Sequence, residues 1–191
     1  MHKFYCLKLI VFSLFFLLFT SSLFAQKKTY VGFNFINEIS EEESAVATGL
    51  GLTIERQFTK HSGIESGLYY RTNKTTFYFT DNISNFTNNY TVAERYLSIP
   101  FLYKFYSRIL NISAGPTFDY YVGWKQKAGI VKVDNYSMDP NVGLGFMFKL
   151  SKKINLSDHI ILEPELRLNP ILTYERVYLS LGIAAKYRLT K

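Results

Sequence analysis

The amino-acid sequence predicts an all-β protein, an eight-stranded antiparallel transmembrane β-barrel of the up-and-down meander type, and three observations lead there. Hydrophobic residues make up 48% of the chain and aromatics 17%, rich for a soluble domain, yet no long apolar run follows Ala25. Apolar and polar residues alternate in segments of about 10 positions, the length a tilted strand needs to cross a bilayer. The polar stretches between these segments alternate long and short. A membrane protein without an apolar run of about 20 residues has the closed barrel as its remaining architecture, because every backbone polar group in lipid must be paired within the protein.

Residues 1–25 separate from the rest. His2, Lys3 and Lys8 make a basic start, Leu9 to Phe19 form an apolar run broken only by Ser13, and Ser21, Ser22 and Ala25 are small residues before Gln26. That is the layout of a cleaved secretory signal peptide, which leaves residues 26–191 as one outer-membrane barrel domain. The only cysteine, Cys6, lies in the segment to be removed, so the mature chain offers neither disulfides nor thiolate metal ligands. Loss of Lys3 and Lys8 lowers the formal charge from +7 to +5. The remaining bases are scattered and form no basic stripe with interleaved aromatics, which excludes nucleic acid as a partner.

Taken in order, the segments sort their residues by a period of two, which a helix would scatter. Val31, Phe33 and Phe35 oppose Gly32 and Asn34; Leu50, Leu52 and Ile54 oppose Gly51, Thr53 and Glu55. The third segment, Ile64 to Phe79, sets Leu68 and Tyr70 against Glu65, Gly67, Tyr69 and Arg71. Leu97, Ile99, Phe101, Tyr103 and Phe105 then oppose Ser98, Pro100, Leu102 and Lys104. Ile112, Ala114, Phe118, Tyr120 and Val122 oppose Ser113, Gly115, Thr117, Asp119 and Tyr121. The sixth segment is the cleanest, with Val142, Leu144, Phe146, Phe148 and Leu150 against Asn141, Gly143, Gly145, Met147 and Lys149. Leu162, Leu166 and Leu168 face away from Glu163, Glu165, Arg167 and Asn169, and Leu179 to Leu189 close the series with Ser180, Gly182, Ala184, Lys186 and Arg188 on the other face.

Long polar stretches follow the first, third and fifth segments, at Asn37 to Ala45, Thr80 to Glu94 and Gln126 to Pro140. Shorter ones follow the second, fourth and sixth, at Thr59 to Gly63, near Ser107 and Arg108, and at Ser151 to Asp158. This puts the large loops at one end, as cell-surface loops, and the turns at the periplasmic end. The seventh connection, Leu172 to Arg176, is short and departs from the pattern. Pro100, Pro116 and Pro164 fall inside strands, where each removes a ladder hydrogen bond, and local bulges are expected there.

Alternation does not by itself say which face meets lipid; a soluble, lipocalin-like ligand-binding barrel has the opposite sense. The polar face combines small residues with charges of both signs: Glu55, Glu65, Asp119, Glu163 and Glu165 against Arg71, Lys104, Lys149, Arg167, Lys186 and Arg188. Such a mixture suits a narrow interior in which buried charges are paired, so these eleven residues are expected to form a structural charge network in the lumen. The other face places Tyr70, Tyr103, Phe105, Tyr120 and Tyr187 toward strand ends, as interfacial girdles require. Lipid of the outer membrane is therefore the expected surroundings.

Gly49 to Phe58, Arg95 to Tyr106 with its Tyr96-Leu97-Ser98-Ile99-Pro100 core, Ala114-Gly115-Pro116 and Val142-Gly143-Leu144-Gly145 resemble the PorT-like outer-membrane β-barrel proteins of Bacteroidetes, and the architecture resembles the small OmpX and OmpA barrels. The resemblance covers the mature chain and implies fold, location and a part in secretion or envelope assembly. It carries no catalytic residues. One departure is the C-terminus, Leu189-Thr190-Lys191, where many such barrels end on an aromatic residue.

An enzyme would need a base beside its nucleophile. The mature chain offers His61 and His159, both in or beside expected periplasmic turns, the wrong end for a barrel that modifies lipid A and a weak pair for metal binding. The spacing Glu163, Glu165 and Arg167 looks like a paired-carboxylate site, but bases on neighbouring strands can neutralise it. No catalytic residue, metal site or cofactor is expected. Glu41-Glu42-Glu43 in the first loop reads as a solvated face, and the second loop, with Asn82, Asn85, Phe86, Asn88, Asn89 and Tyr90, mixes amides and aromatics as contact surfaces do. The expected function is a non-enzymatic barrel in envelope structure, interaction or secretion and assembly, with an envelope protein as possible partner of the surface loops.

Overall fold

The computed structural model describes residues 28–40, 46–80, 87–129, 132 and 134–189; the expected signal peptide, Cys6, the Glu41-Glu42-Glu43 run and residues 81–86 with Asn82, Asn85 and Phe86 lie outside them. The chain runs through β1 (Lys28–Ser40), β2 (Ala47–Gln57), β3 (Ser62–Thr80), β4 (Thr87–Phe105), β5 (Asn111–Gly129), β6 (Val142–Ser151), the two-residue β7 (Ile154–Asn155), β8 (Ile160–Ile171) and β9 (Arg176–Arg188). Each strand pairs antiparallel with its sequence neighbour, β9 returns to β1, and β6 pairs with β8. Eight long strands thus close into a ring, with β7 laid along the start of β8. Closure pairs the backbone all round, which is what a span through hydrocarbon requires.

Which face looks outward follows from exposure. On β2, Leu52 is 64% exposed while Glu55 is fully buried, and on β9 Leu181 is 67% exposed while Lys186 is 1% exposed. The apolar face points out around the ring, from Phe33 through Leu68, Phe101, Phe118, Phe148 and Leu166. An apolar belt of this extent is far larger than soluble monomers tolerate. The sense is therefore lipid-out and the opposite of a lipocalin.

The register explains where aromatics sit. Tyr103, Phe105 and Tyr187 lie near the end that carries the chain termini. Tyr70 and Tyr120 lie in the middle of their strands, not toward the ends as the sequence suggested, because β3, β4 and β5 each run for 19 residues. At about 3.3 Å per residue each strand measures roughly 60 Å, and about half of it suffices to cross the hydrocarbon. The excess lies at the end opposite the termini. Residues 72–80, 87–95 and 121–129 therefore form a three-stranded wall that overshoots the rest of the ring, whose strands β2 and β6 stop at or begin near Ala47 and Val142.

This corrects the loop boundaries. Thr80 to Glu94 was expected as loop, but β4 already begins at Thr87; β1 continues to Ser40 and β5 to Gly129. The prolines are a second correction. Register shifts fall between Thr91 and Val92 and between Arg95 and Tyr96, not at Pro100, Pro116 or Pro164. Pro100 interrupts the ladder to β3, yet the register is the same on both sides, and Ser66 Oγ donates to its carbonyl at 2.8 Å. The shift at Arg95 instead lies opposite Val122 and Gly123, whose φ of 142° suits a residue without a Cβ. At that shift the bulge is set by a glycine in the overshooting wall.

The seventh connection is short because it is a single 3₁₀ turn, Leu172–Tyr174, closed by Glu175 at φ 52°. It is tied to its neighbours: Thr173 Oγ1 accepts from the Leu144 amide at 2.8 Å, and Tyr174 OH donates to the Pro140 carbonyl at 3.1 Å. At the other end Phe58 and Thr59 amides bond the Ser62 carbonyl, closing the β2–β3 turn.

Candidate functional site

Inward-facing residues build a lumen in layers. Nearest the terminal end, β2, β3 and β8 place Glu55, Glu65, Glu163 and Glu165 across from Lys104 of β4, Lys149 of β6 and Lys186 of β9. Lys104 Nζ lies 2.9 Å from Glu55, 3.1 Å from Glu65 and 2.5 Å from Glu163. Lys186 Nζ reaches the same three carboxylates at 2.6, 3.0 and 2.6 Å. Lys149 pairs with Glu65 and, at 3.2 Å, with Glu165. An ammonium group has three donors in tetrahedral array, so each lysine can bridge several strands at once. The result is a lattice of alternating charge in which no carboxylate depends on a single partner.

Above it, Arg167 pairs with Glu165 and lies over the Tyr69 ring at 4.5 Å. Asn34 donates to Glu165 at 3.1 Å and to Tyr69 OH at 3.3 Å, and Thr53 Oγ1 donates to Asn34 at 3.2 Å. Tyr69 can lie across the lumen because its register partner on β2 is Gly51; a Cβ there would stand 2.2 Å from the ring. Higher still, Arg71 donates to Glu38 at 3.0 Å and to Asp119 at 2.9 Å and packs on Tyr178.

The uppermost layer is centred on Glu94. It accepts from Arg176 Nη1 at 2.5 Å, from Tyr96 OH at 2.7 Å, from Asn73 at 3.3 Å and from Tyr136 OH. Tyr136 belongs to the β5–β6 connection, so this carboxylate fastens that loop to the barrel wall. Phe77, Tyr90 and Trp124 surround it on the wall, with Phe77 5.1 Å from Tyr90 and Tyr136 5.8 Å from both Phe77 and Trp124.

Of the eleven charges singled out from the sequence, ten are buried inside and linked as described. Arg188 is half-buried at the terminal mouth, over the Tyr30 ring at 5.7 Å. Glu38, Glu94, Lys153 and Arg176 join this interior without having been singled out from the sequence. Glu38 continues the inward period Gly32, Asn34, Ile36, so its role was readable once β1 is extended. Glu94 and Arg176 meet from positions 82 residues apart and carried no such signal. Lys153 sits in the β6–β7 turn and folds back so that its Nζ lies 2.6 Å from Glu55 and over the rings of Tyr30 and Tyr106 at 4.3 and 4.4 Å. Burial pulls its ammonium below the ordinary lysine range, against the attraction of Glu55.

Three of the carboxylates, Glu55, Glu65 and Glu163, converge closely enough to hold a metal ion. The ammonium groups of Lys104 and Lys186 already fill that role between them. His61 and His159 lie on turns separated round the ring by β9, β1 and β2. His61 Nδ1 is 3.1 Å from the Tyr106 carbonyl with its ring against Phe105, and His159 packs on Tyr187. Each thus serves a turn.

A closed antiparallel ring with a greasy exterior and an ion-paired interior defines a transmembrane β-barrel. The family model described as outer membrane protein beta-barrel domain matches residues 20–136, more than half of the chain, and the protein belongs to that family. Comparison with curated proteins gives no match. Among solved structures the chain is similar to the outer membrane protein OprG of Pseudomonas aeruginosa, at 12% identity and a TM-score of 0.58, covering 87% of this chain and 97% of that one. It also aligns with Neisserial surface protein A at 10% identity and a TM-score of 0.47, over 84% and 96% of the two chains. With Ail of Yersinia pestis, in complex with the heparin analogue sucrose octasulfate, the values are 7% and 0.41, over 85% and 97%. The OprG likeness supports the fold, and with the family it places the protein in the bacterial outer membrane.

Proposed function

We propose that the protein is a non-enzymatic envelope component whose wall of overshooting strands, with the loops around it, docks another envelope protein. One observation carries this reading: three adjacent strands continue about 8–10 residues past the length needed to span the bilayer, and they do so on one side of the ring. Among the described residues, no strand pairs with the outer edge of β3 beyond the Arg71 level, and none pairs with that of β5 beyond Tyr120. The long-short order of connections supports the wall standing on the cell surface. The PorT-like resemblance supports a part in secretion or envelope assembly, as analogy from fold.

Cross-linked affinity purification from native membranes tests the reading with two forms of the chain. One is the full sequence; in the other an Asn-Gly turn replaces residues 74–93, which keeps the Asn73–Glu94 register pair. The full chain is expected to recover a partner that the shortened one does not. Equal recovery by both, or none by either, overturns the proposal. Mass spectrometry of lipid A from a deletion strain addresses catalysis: the profile is expected to be unchanged, and an altered acylation or headgroup pattern would make the protein an enzyme.

A further inference from the structure

The terminal mouth of the barrel is electrostatically unlike the lumen above it. Inside, every lysine has carboxylates at hydrogen-bond distance. The mouth instead holds a cavity of about 250 Å³ whose lining includes Lys28, Arg108, Lys152, Lys153 and Arg188 and no Asp or Glu. These five cations come from β1, the β4–β5 turn, the β6–β7 turn and β9, so the fold gathers them from four separate places. Of the five, only Lys153 has a carboxylate partner among the described residues, Glu55 on the lumen side. Arg188 Nε is buried with no hydrogen-bond partner.

From this geometry we infer that the mouth is a binding site for a small phosphorylated or multiply carboxylated solute. Cations brought together without counter-charge repel one another, and an anion seated among them removes that cost while meeting donors already in place. Tyr30 and Tyr106 form the floor, which is closed by Lys153 lying over both rings. Gln57, Asn111 and Asn155 add amides to the lining, groups suited to hydroxyls or ester oxygens next to the charged group. The volume accommodates a ligand the size of a sugar phosphate. Because the Glu55, Glu65 and Glu163 layer seals the lumen directly above, the site is a dead-end vestibule, suited to holding a solute and not to passing it through the barrel.

The test uses the full mature chain, folded in non-ionic maltoside micelles and titrated by calorimetry and by amide chemical shifts with inorganic phosphate, glycerol 3-phosphate and citrate. Glycerol 3-phosphate binding more tightly than inorganic phosphate identifies an organic phosphate, and citrate binding best identifies a polycarboxylate; either supports the site. Arg188→Gln is expected to weaken binding about tenfold, as loss of a hydrogen bond to a charged group does. The exposed rim pair Arg108→Gln and Lys152→Gln, which leaves the barrel packing untouched, is expected to weaken it by a similar factor. Lys125→Gln with Lys127→Gln, at the opposite end, is expected to leave it unchanged. No binding at millimolar anion, or binding equally reduced by the rim pair and the distant pair, overturns the inference.

Discussion

Lys186 shows how a single residue is held in this interior. Its three carboxylate partners come from β2, β3 and β8, so replacing it by methionine leaves Lys104 to neutralise the same three groups. Breaking a buried pair costs about 3–5 kcal/mol because the partner charge stays buried. Lys186→Met is therefore expected to lower unfolding stability by about that amount in urea titrations of the micelle-bound barrel, and adding Glu163→Gln is expected to restore part of it. A glycine is equally specific: Gly51→Val is expected to cost about 1–3 kcal/mol, because the new side chain would push Tyr69 off Arg167. The same unfolding measurement reads both. Glu94→Gln, by contrast, acts locally. It removes the charge that Arg176 and the Tyr136 hydroxyl share, and faster limited proteolysis within residues 134–141 is expected.

At the scale of the element, period-two alternation made all eight long strands legible, and each begins or ends within a few residues of its expected place at the terminal end. The loop end was less legible. There the alternation of β3 and β4 continues through polar residues such as Asn73, Lys74, Thr75, Thr76 and Thr91, because outside the bilayer neither face needs to be apolar. A polar strand and a polar loop then look the same in one dimension. The prolines misled for another reason: a lost ladder bond need not shift the register, and at Pro100 the ladder to β3 resumes unchanged on both sides while the Ser66 hydroxyl donates to the proline carbonyl. If the wall is an independent extension, the chain with residues 74–93 replaced is expected to keep the compact, heat-modifiable gel mobility of a folded barrel. Loss of that mobility would mean the wall is needed to close the ring.

For the whole molecule, orientation and sealing are the properties that matter. Leu52 lies midway along β2 on the outer face, so Leu52→Arg is expected to destabilise the barrel by about 2–4 kcal/mol in lipid vesicles. An arginine on the wall, at Thr76, is expected to change little. Sealing follows from the lattice: Glu55, Lys104 and Glu163 are inaccessible to solvent, which leaves no continuous water path across that layer. Single-channel recording in planar bilayers is expected to show no open conductance.

Sequence alone determined the ring, the eight long strands, the sense of its faces and ten of the charges that point inward, because all of these depend on residue type and a period of two; Glu38, Glu94, Lys153 and Arg176 joined them only in three dimensions. Which charges meet was decided by tertiary structure. Ion pairing in the lumen runs between segments that are far apart in the chain, as with Glu94 and Arg176 or Lys153 and Glu55, and such meetings depend on the stagger with which the sheet closes on itself. The unbalanced mouth belongs to the same category: its five cations are ordinary surface bases in the sequence, and only closure of the barrel gathers them round one cavity.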